Sequence, residues 1–229
     1  MIKLDHAVYF ASKTPEEIVV EQKSEGKHAV IGGSHLQWGS YNALMYLKNA
    51  YIEWIAVENQ EIAEKTKHPL IEQLLLDDEG WGTICLAVED LEALHKRITS
   101  KGIRSSGILK SERKTVDGKI RKWRMLNIEQ QISDTLPLPL LIEWDDKDDK
   151  RYEILRADGS ISSSSEQFEV KECVFSVEYP VETAEKWANL FSLERSGSRL
   201  ILPNATLNFI QKVNEMDKER LSDVLIGKA

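Results

Sequence analysis

The sequence predicts an α+β fold in which a strand–helix–three-strand (βαβββ) unit occurs twice, builds one curved mixed sheet, and is followed by a shortened third βαββ copy. Three observations predict it. The hydrophobic pattern of the opening residues restarts in the same order at Trp81. The peptide Tyr51-Ile52-Glu53-Trp54 returns as Leu141-Ile142-Glu143-Trp144. A fainter echo, Ala205-Thr206-Leu207-Asn208-Phe209-Ile210, lies where Ala50-Tyr51-Ile52-Glu53-Trp54-Ile55 lay, with Asn208 in place of the acid.

The elements follow in order. Ile2 to Phe10 has strand character, and Thr14-Pro15-Glu16-Glu17 reads as a cap, a proline in the first turn and acids at a helix start. That helix should fray near Ser24-Glu25-Gly26. The apolar runs His28 to Ile31, Tyr41 to Leu47 and Tyr51 to Val57 supply three strands, punctuated by Gly32-Gly33 and Lys48-Asn49. A helical segment over 60–79, interrupted by Pro69, links this unit (1–59) to the second (80–146). There, Trp81 to Val88 is a strand and Asp90 to Ser100 a helix ended by Lys101-Gly102. Ile108 to Val116 and Lys119 to Ile128 flank Asp117-Gly118, a strong hairpin signal, and Leu140 to Trp144 closes the unit. Residues 147–167 read as a polar linker ending in a serine run. The module 168–229 holds the strand Phe168 to Tyr179, a helix after Pro180, and strands around Pro203-Asn204.

Composition narrows the class. The 229 residues are 41% hydrophobic and 30% charged, which suits a globular chain with a real core. Thirty Lys and Arg stand against 38 Asp and Glu, a net charge of −8. An acidic surface argues against nucleic-acid or membrane partners, and a monomer or homodimer is the expected assembly. Cys85 and Cys173 each sit in an apolar run and read as buried free thiols. With no signal-peptide pattern and no long apolar span, a cytoplasmic location is expected.

In this order and spacing, Leu4-Asp5-His6, His35 with Trp38-Gly39-Ser40 and Asn42, Tyr51-Ile52-Glu53, Trp123-Arg124 and Leu138 to Trp144 resemble the vicinal oxygen chelate superfamily, its glyoxalase-like branch most of all. The resemblance spans residues 1–146. It implies the glyoxalase/bleomycin-resistance/dioxygenase-like architecture, whose curved sheet encloses a hollow for a divalent metal or a small ligand. A metal there, expected as nickel, manganese, iron or zinc, would polarise oxygens of a substrate or activate dioxygen.

Alternation along the closing strands suggests that Ile52 with Trp54, and Ile142 with Trp144, pack on the helices while Glu53 and Glu143 project into the hollow. Two buried acids repel unless a cation or protons neutralise them. The expected metal set is therefore His6, Glu53 and Glu143, with whichever Glu does not hold the metal serving as general base. Against it, Ile84 falls opposite His6, where a second-copy ligand is expected. A structural reading stands beside each residue: His6 as a hydrogen-bonded core histidine, and the two acids as partners of Arg113, Arg121 or Arg124. His35, Trp38 and Asn42 are expected ligand contacts, or else an edge turn at Gly39. His35 joins a metal set only if its strand curls inward. Arg124 is expected to clamp a substrate carboxylate, although only one of Trp123 and Arg124 can line the hollow. Trp187, Leu190 and Phe191 read as core, and the basic run Lys110 to Lys122 as a solvated hairpin. Dinucleotide, phosphate-loop, nucleophile-elbow and zinc-protease motifs do not occur in the sequence. Two functions follow: a metal-dependent lyase or isomerase, or a non-catalytic small-molecule binding or sequestering protein.

Overall fold

The computed structural model describes residues 1–114, 118 and 120–229; Asp117 of the expected hairpin turn lies outside them. The first unit runs β1 (Ile2–Phe10), α1 (Pro15–Ser24), β2 (Val30–His35), β3 (Ser40–Tyr46) and β4 (Tyr51–Val57). Thr14 starts α1 with a reciprocal cap: its hydroxyl accepts from the Glu17 amide at 3.3 Å, and the Glu17 carboxylate accepts from the Thr14 amide at 2.8 Å. Helices α2 (Gln60–Lys65) and α3 (Pro69–Leu76) form the connecting segment, broken where Pro69 opens a new helix. The second unit is β5 (Gly80–Val88), α4 (Leu91–Ser100), β6 (Ser105–Lys114), β7 (Ile120–Ile128) and β8 (Leu140–Trp144).

These strands form one eight-stranded sheet in the order β2-β3-β4-β1-β5-β8-β7-β6. Each half has its first and last strands parallel, β1 with β4 and β5 with β8, and the halves meet at the antiparallel pair β1–β5. The fold class is thus the predicted one.

The stretch 147–167, expected to be a linker, instead forms α5 (Asp148–Ala157) and a short 3-10 turn at Ser165–Gln167. Its helical signal was obscured because only Arg151 and Leu155 of α5 are buried, a stripe one residue wide per turn. The third copy is β9 (Phe168–Val177), α6 (Pro180–Phe191), β10 (Glu194–Ser196), β11 (Arg199–Ile201) and β12 (Thr206–Gln211), with β13 (Arg220–Lys228) added. Its sheet order, β10-β11-β12-β9-β13, repeats that of the first unit and places β13 where β5 stands in the larger sheet.

Two apolar layers hold these parts. Leu4, Ala7, Ile52, Ile84, Leu86 and Leu141 on one face of the large sheet merge with Phe175, Trp187 and Phe209 of the third copy into a single core. On the other face, Val8, Phe10, Ile55 and Ala87 are covered by Ala63, Leu70, Ile71 and Leu74 of α2 and α3. The connecting helices therefore roof the hollow. A reciprocal clasp joins the first and third copies. Asn49 donates to Val170 O at 2.8 Å and accepts from Val170 N at 2.9 Å. Asn204 does the same with Leu4 O and Leu4 N, both at 2.9 Å. Each asparagine sits in the turn before its own closing strand and satisfies the other copy's opening strand.

Candidate functional site

The site begins at a bulge. Register between β1 and β5 shifts after Leu4, so that His6 stands opposite Cys85 and turns into the hollow. Its Nδ1 lies 2.8 Å from Asp5 Oδ1 and its Nε2 3.1 Å from Glu53 Oε2. Tyr51 stacks on the ring, with centroids 4.4 Å apart. Asp5 in turn accepts from Trp144 Nε1 at 2.8 Å and faces the Arg151 guanidinium at 3.4 Å. Glu53 also accepts from the Asn42 side-chain amide.

Charge on this buried chain follows from its contacts. Burial opposes a proton on His6, yet the hydrogen bonds to Asp5 and Glu53 outweigh it and hold the pKa up at about 9. Burial likewise opposes ionisation of Glu53, but its bond to His6 and the charges nearby bring the carboxyl down to about 2. Asp5, also against its burial, is held well below the carboxylate range by Arg151 and His6. The chain Arg151–Asp5–His6–Glu53 is a run of alternating charges.

Beside it lies a second group. Trp38, at the tip of the β2–β3 hairpin, has His35 at 5.0 Å and His68 at 4.3 Å, centroid to centroid. Gly39 makes the hairpin turn at φ +65°, and its carbonyl receives the amides of Glu58 and Asn59 at 2.8 and 3.0 Å. A Cβ at Gly39 would fall 2.4 Å from Asn59 O, so glycine lets the hairpin lie against the start of α2. His35 is oriented by Ser40 Oγ, 3.1 Å from its Nδ1. His68 differs: it is 5% exposed, and neither ring nitrogen has a hydrogen-bond partner among the described residues. Burial first, and then the neighbouring His35, depress its pKa to about 4, so it is a neutral imidazole with one donor and one acceptor unspent.

His6, His35, Trp38, Asn42, Glu53 and His68 share a cavity of about 60 Å³. Its apolar wall comes from the second half, including Trp123, Met125, Leu140, Ile142 and Trp144. That volume has room for on the order of four waters or one compact molecule.

Two expected site residues are elsewhere. Ile142 and Trp144 line the cavity, so Glu143 points to the opposite face, where its Oε2 accepts from Leu91 N at 3.1 Å and Arg124 Nη2 at 2.6 Å. Arg124 is held there by Glu143 and Glu92 and does not line the cavity; Trp123 does. The cause is register. Tyr51 pairs with His6 and Leu140 pairs with Cys85, so the place two residues on is Glu53 in the first half and Ile142 in the second. The copied letters are offset by one residue, and one residue reverses the face. The partner of His6 across β5 is likewise Cys85, whereas Ile84 faces the core.

The expected metal set therefore does not fit. With Glu143 on the far face and both His6 nitrogens facing carboxylates, His6 is an imidazolium with no lone pair to give. Among the described residues no three His, Cys, Asp or Glu side chains stand so as to hold a metal ion. Sequence reasoning missed Asp5, Cys85, Arg151 and His68; only Asp5 had a signal, as the neighbour of His6.

Residues 4–191 match the family model described as a glyoxalase-like domain. A hypothetical protein from Staphylococcus aureus matches with TM-score 0.85 at 22% identity, covering all of this chain and 92% of that one. A methylmalonyl-CoA epimerase of Streptomyces coelicolor, in complex with 2-nitronate-propionyl-CoA, matches at TM-score 0.43 and 14% identity over 63% of this chain and 98% of that one. The Mycobacterium tuberculosis epimerase matches at 0.42 and 17% over 63% and 89%. No curated protein matches.

Proposed function

The chain belongs to the glyoxalase-like domain family, and from that premise we propose that it binds a small, uncharged, oxygen-bearing molecule in the hollow, without a chelated metal. The observation that carries this reading is His68. A buried polar side chain costs stability unless it is hydrogen-bonded; this one lines a cavity large enough for a compact ligand, and neither of its buried nitrogens has a partner among the described residues. A carbonyl or hydroxyl accepts from one nitrogen or donates to the other, and Trp38 supplies a flat wall. A charged ligand is disfavoured, because Glu53 is already matched by His6 and Asp5 by His6 and Arg151.

The competing reading, a metal-dependent lyase or isomerase, needs a free His6 nitrogen and a second-half acid in the hollow. Ile142 occupies the place of that acid. The function favoured is therefore binding or sequestering. No helix among the described residues is long and apolar enough to cross a membrane. The free, buried Cys85 and Cys173 suit a reducing cytoplasm, and we expect a monomer or homodimer.

The test combines ligand and metal measurements on purified protein. Acetamide and hydroxyacetone should shift the His68 ring resonances on titration and leave the His68→Phe variant unaffected. Elemental analysis after purification without chelator should give no stoichiometric divalent metal. Stoichiometric metal that disappears in Glu53→Ala would overturn the reading, as would probes that bind His68→Phe as well as the unaltered protein.

A further inference from the structure

Helix α5 lies outside the duplicated halves, yet it reaches the site. Asp148 and Asp149 in its first turn and Arg156 in its last complement the helix dipole. Ion pairs hold both ends, Lys3 with Asp148 and Arg121 with Asp158. Between them the helix buries Arg151 and Leu155. Leu155 joins Tyr46 and Tyr51 in an apolar cluster, while Arg151 runs to Asp5. By alternation Tyr51, Glu53 and Ile55 share the hollow face of β4. That face is covered at Tyr51 by α5 and at Ile55 by α2 and α3, and the cavity is what remains between the two covers.

Asp5 is where these parts meet. Its side chain is fully buried, and its Oδ1 faces His6 Nδ1 on the same strand. Its Oδ2 accepts from Trp144 Nε1 of the second half and faces Arg151 Nη2 of α5. The Arg151 guanidinium also lies over the Trp144 ring, 4.4 Å from its centroid. One cation therefore touches both the acid that orients His6 and a ring that walls the cavity. The charges favour this arrangement. A single imidazolium cannot match two buried carboxylates, and Arg151 brings a second positive charge into contact with Asp5. Without it Asp5 is relieved by taking up a proton, and a neutral carboxyl is a weaker acceptor for His6 Nδ1–H.

We propose that Arg151 is the positioning residue of the cavity: from α5 it holds Asp5 and Trp144 in place, and through them fixes the direction of the His6 ring and part of the apolar wall. Helix α5 thus belongs to the binding site, although among the described residues none that lines the cavity comes from it. Only Nη2 of the guanidinium reaches Asp5, and Nε has no partner among the described residues. A lysine ammonium can therefore take over the contact, which a bidentate pair would not allow.

The experiment reads the imidazole N–H resonances of His6 by NMR, together with acetamide titration, in the unaltered protein and in Arg151→Met, Arg151→Lys and Leu155→Ala. Arg151→Met should lose the slowly exchanging His6 Nδ1–H resonance and weaken acetamide binding about tenfold. Arg151→Lys should recover the resonance and most of the affinity. Leu155→Ala loosens α5 without touching its charge, and should keep both. If Arg151→Met does not fold, Arg151→Gln, which leaves Asp5 a donor without the charge, is read for the same losses. An unchanged His6 resonance in the folded variant overturns the proposal, as does its loss with acetamide affinity unchanged. An equal loss in Leu155→Ala overturns it too, since α5 would then act only as packing. The affinity arm rests on the cavity reading above and the resonance arm does not. If acetamide fails to bind the unaltered protein, that reading falls, and the His6 resonance still decides the role of Arg151.

Discussion

The two halves of the eight-stranded sheet share a topology and a tetrapeptide, and they differ in what they show the hollow. The first half presents His6, Glu53, Asn42 and His35; the second presents Cys85, Leu140, Ile142 and the rings of Trp123 and Trp144. One half is a polar floor and the other an apolar wall. Fold duplication thus conserves strand order without conserving faces. The second-half acid survives as Glu143, but it closes the N-terminus of α4 on the far side of the sheet. The third copy makes the same point. Asn208 pairs with Val174 as Glu53 pairs with Val8, and it donates to Glu172 Oε1 at 2.8 Å. A polar pair occupies that place again, on a sheet with no second half to enclose it.

The strongest way to break the comparison is to make the first half like the second. Glu53→Leu removes one of two carboxylates from a buried imidazolium and one acceptor of the Asn42 side-chain amide. Removing one partner of a buried pair costs about 3–5 kcal/mol. The matched change at the corresponding place, Ile142→Val, only shortens a side chain and should cost about 1 kcal/mol. Urea denaturation of both variants measures the difference. Equal losses would mean that Glu53 contributes no more than an apolar contact.

Much of this contrast was open to sequence reading, and the limits have physical causes. Strand order followed from restarting periodicity and from turn residues such as Lys48-Asn49, and the break at Pro69 followed from proline chemistry. In Leu138-Pro139-Leu140-Leu141-Ile142, by contrast, apolar residues follow one another without alternation, so the run does not indicate which face is inward. Letter-matching to Tyr51-Ile52-Glu53-Trp54 then chose the wrong one. Helix α5 was hidden because a single buried Arg151 and Leu155 make no readable stripe. His6, His35, Trp38, Asn42 and Glu53 were accessible because polar groups interrupt apolar strands there. His68 was not, because a histidine before a proline reads as an exposed cap, and only tertiary packing puts it under Trp38.

A second prediction sets two histidines of the same cavity against each other. His6 has a folded-state pKa of about 9 against an ordinary 6.5, so its contribution is complete below about pH 6.5 and is lost as pH rises through 9. The loss is on the order of 3 kcal/mol. His68 is lowered to about 4 from the same reference, so the unfolded chain binds its proton first and stability falls as pH drops from 6.5 toward 4. Glu53, lowered to about 2, adds stability above the ordinary carboxylate range that is lost as pH falls toward 2. Unfolding free energy should peak near pH 6.5. Replacing His68 by Phe should flatten the limb between 6.5 and 4 and leave the alkaline limb in place. An alkaline limb that changed with His68 would show that the two imidazoles titrate as one unit.

The smallest effect is expected where the copied acid went. Glu143→Gln keeps an acceptor for Leu91 N and removes the charge opposite Arg124, which retains Glu92. The pair is partly exposed, its side chains 28% and 19% accessible, so screening by solvent limits its worth to about 1 kcal/mol or less, and added salt should shrink it further. Arg124 sits on the same far face, so neither Glu143→Gln nor Arg124→Ala should change the affinity for acetamide. Calorimetric titration of the two variants checks this directly. A tenfold loss of affinity in Glu143→Gln would place the two acids in one functional unit after all. Unchanged affinity would mean that the second half serves the hollow only through its apolar wall.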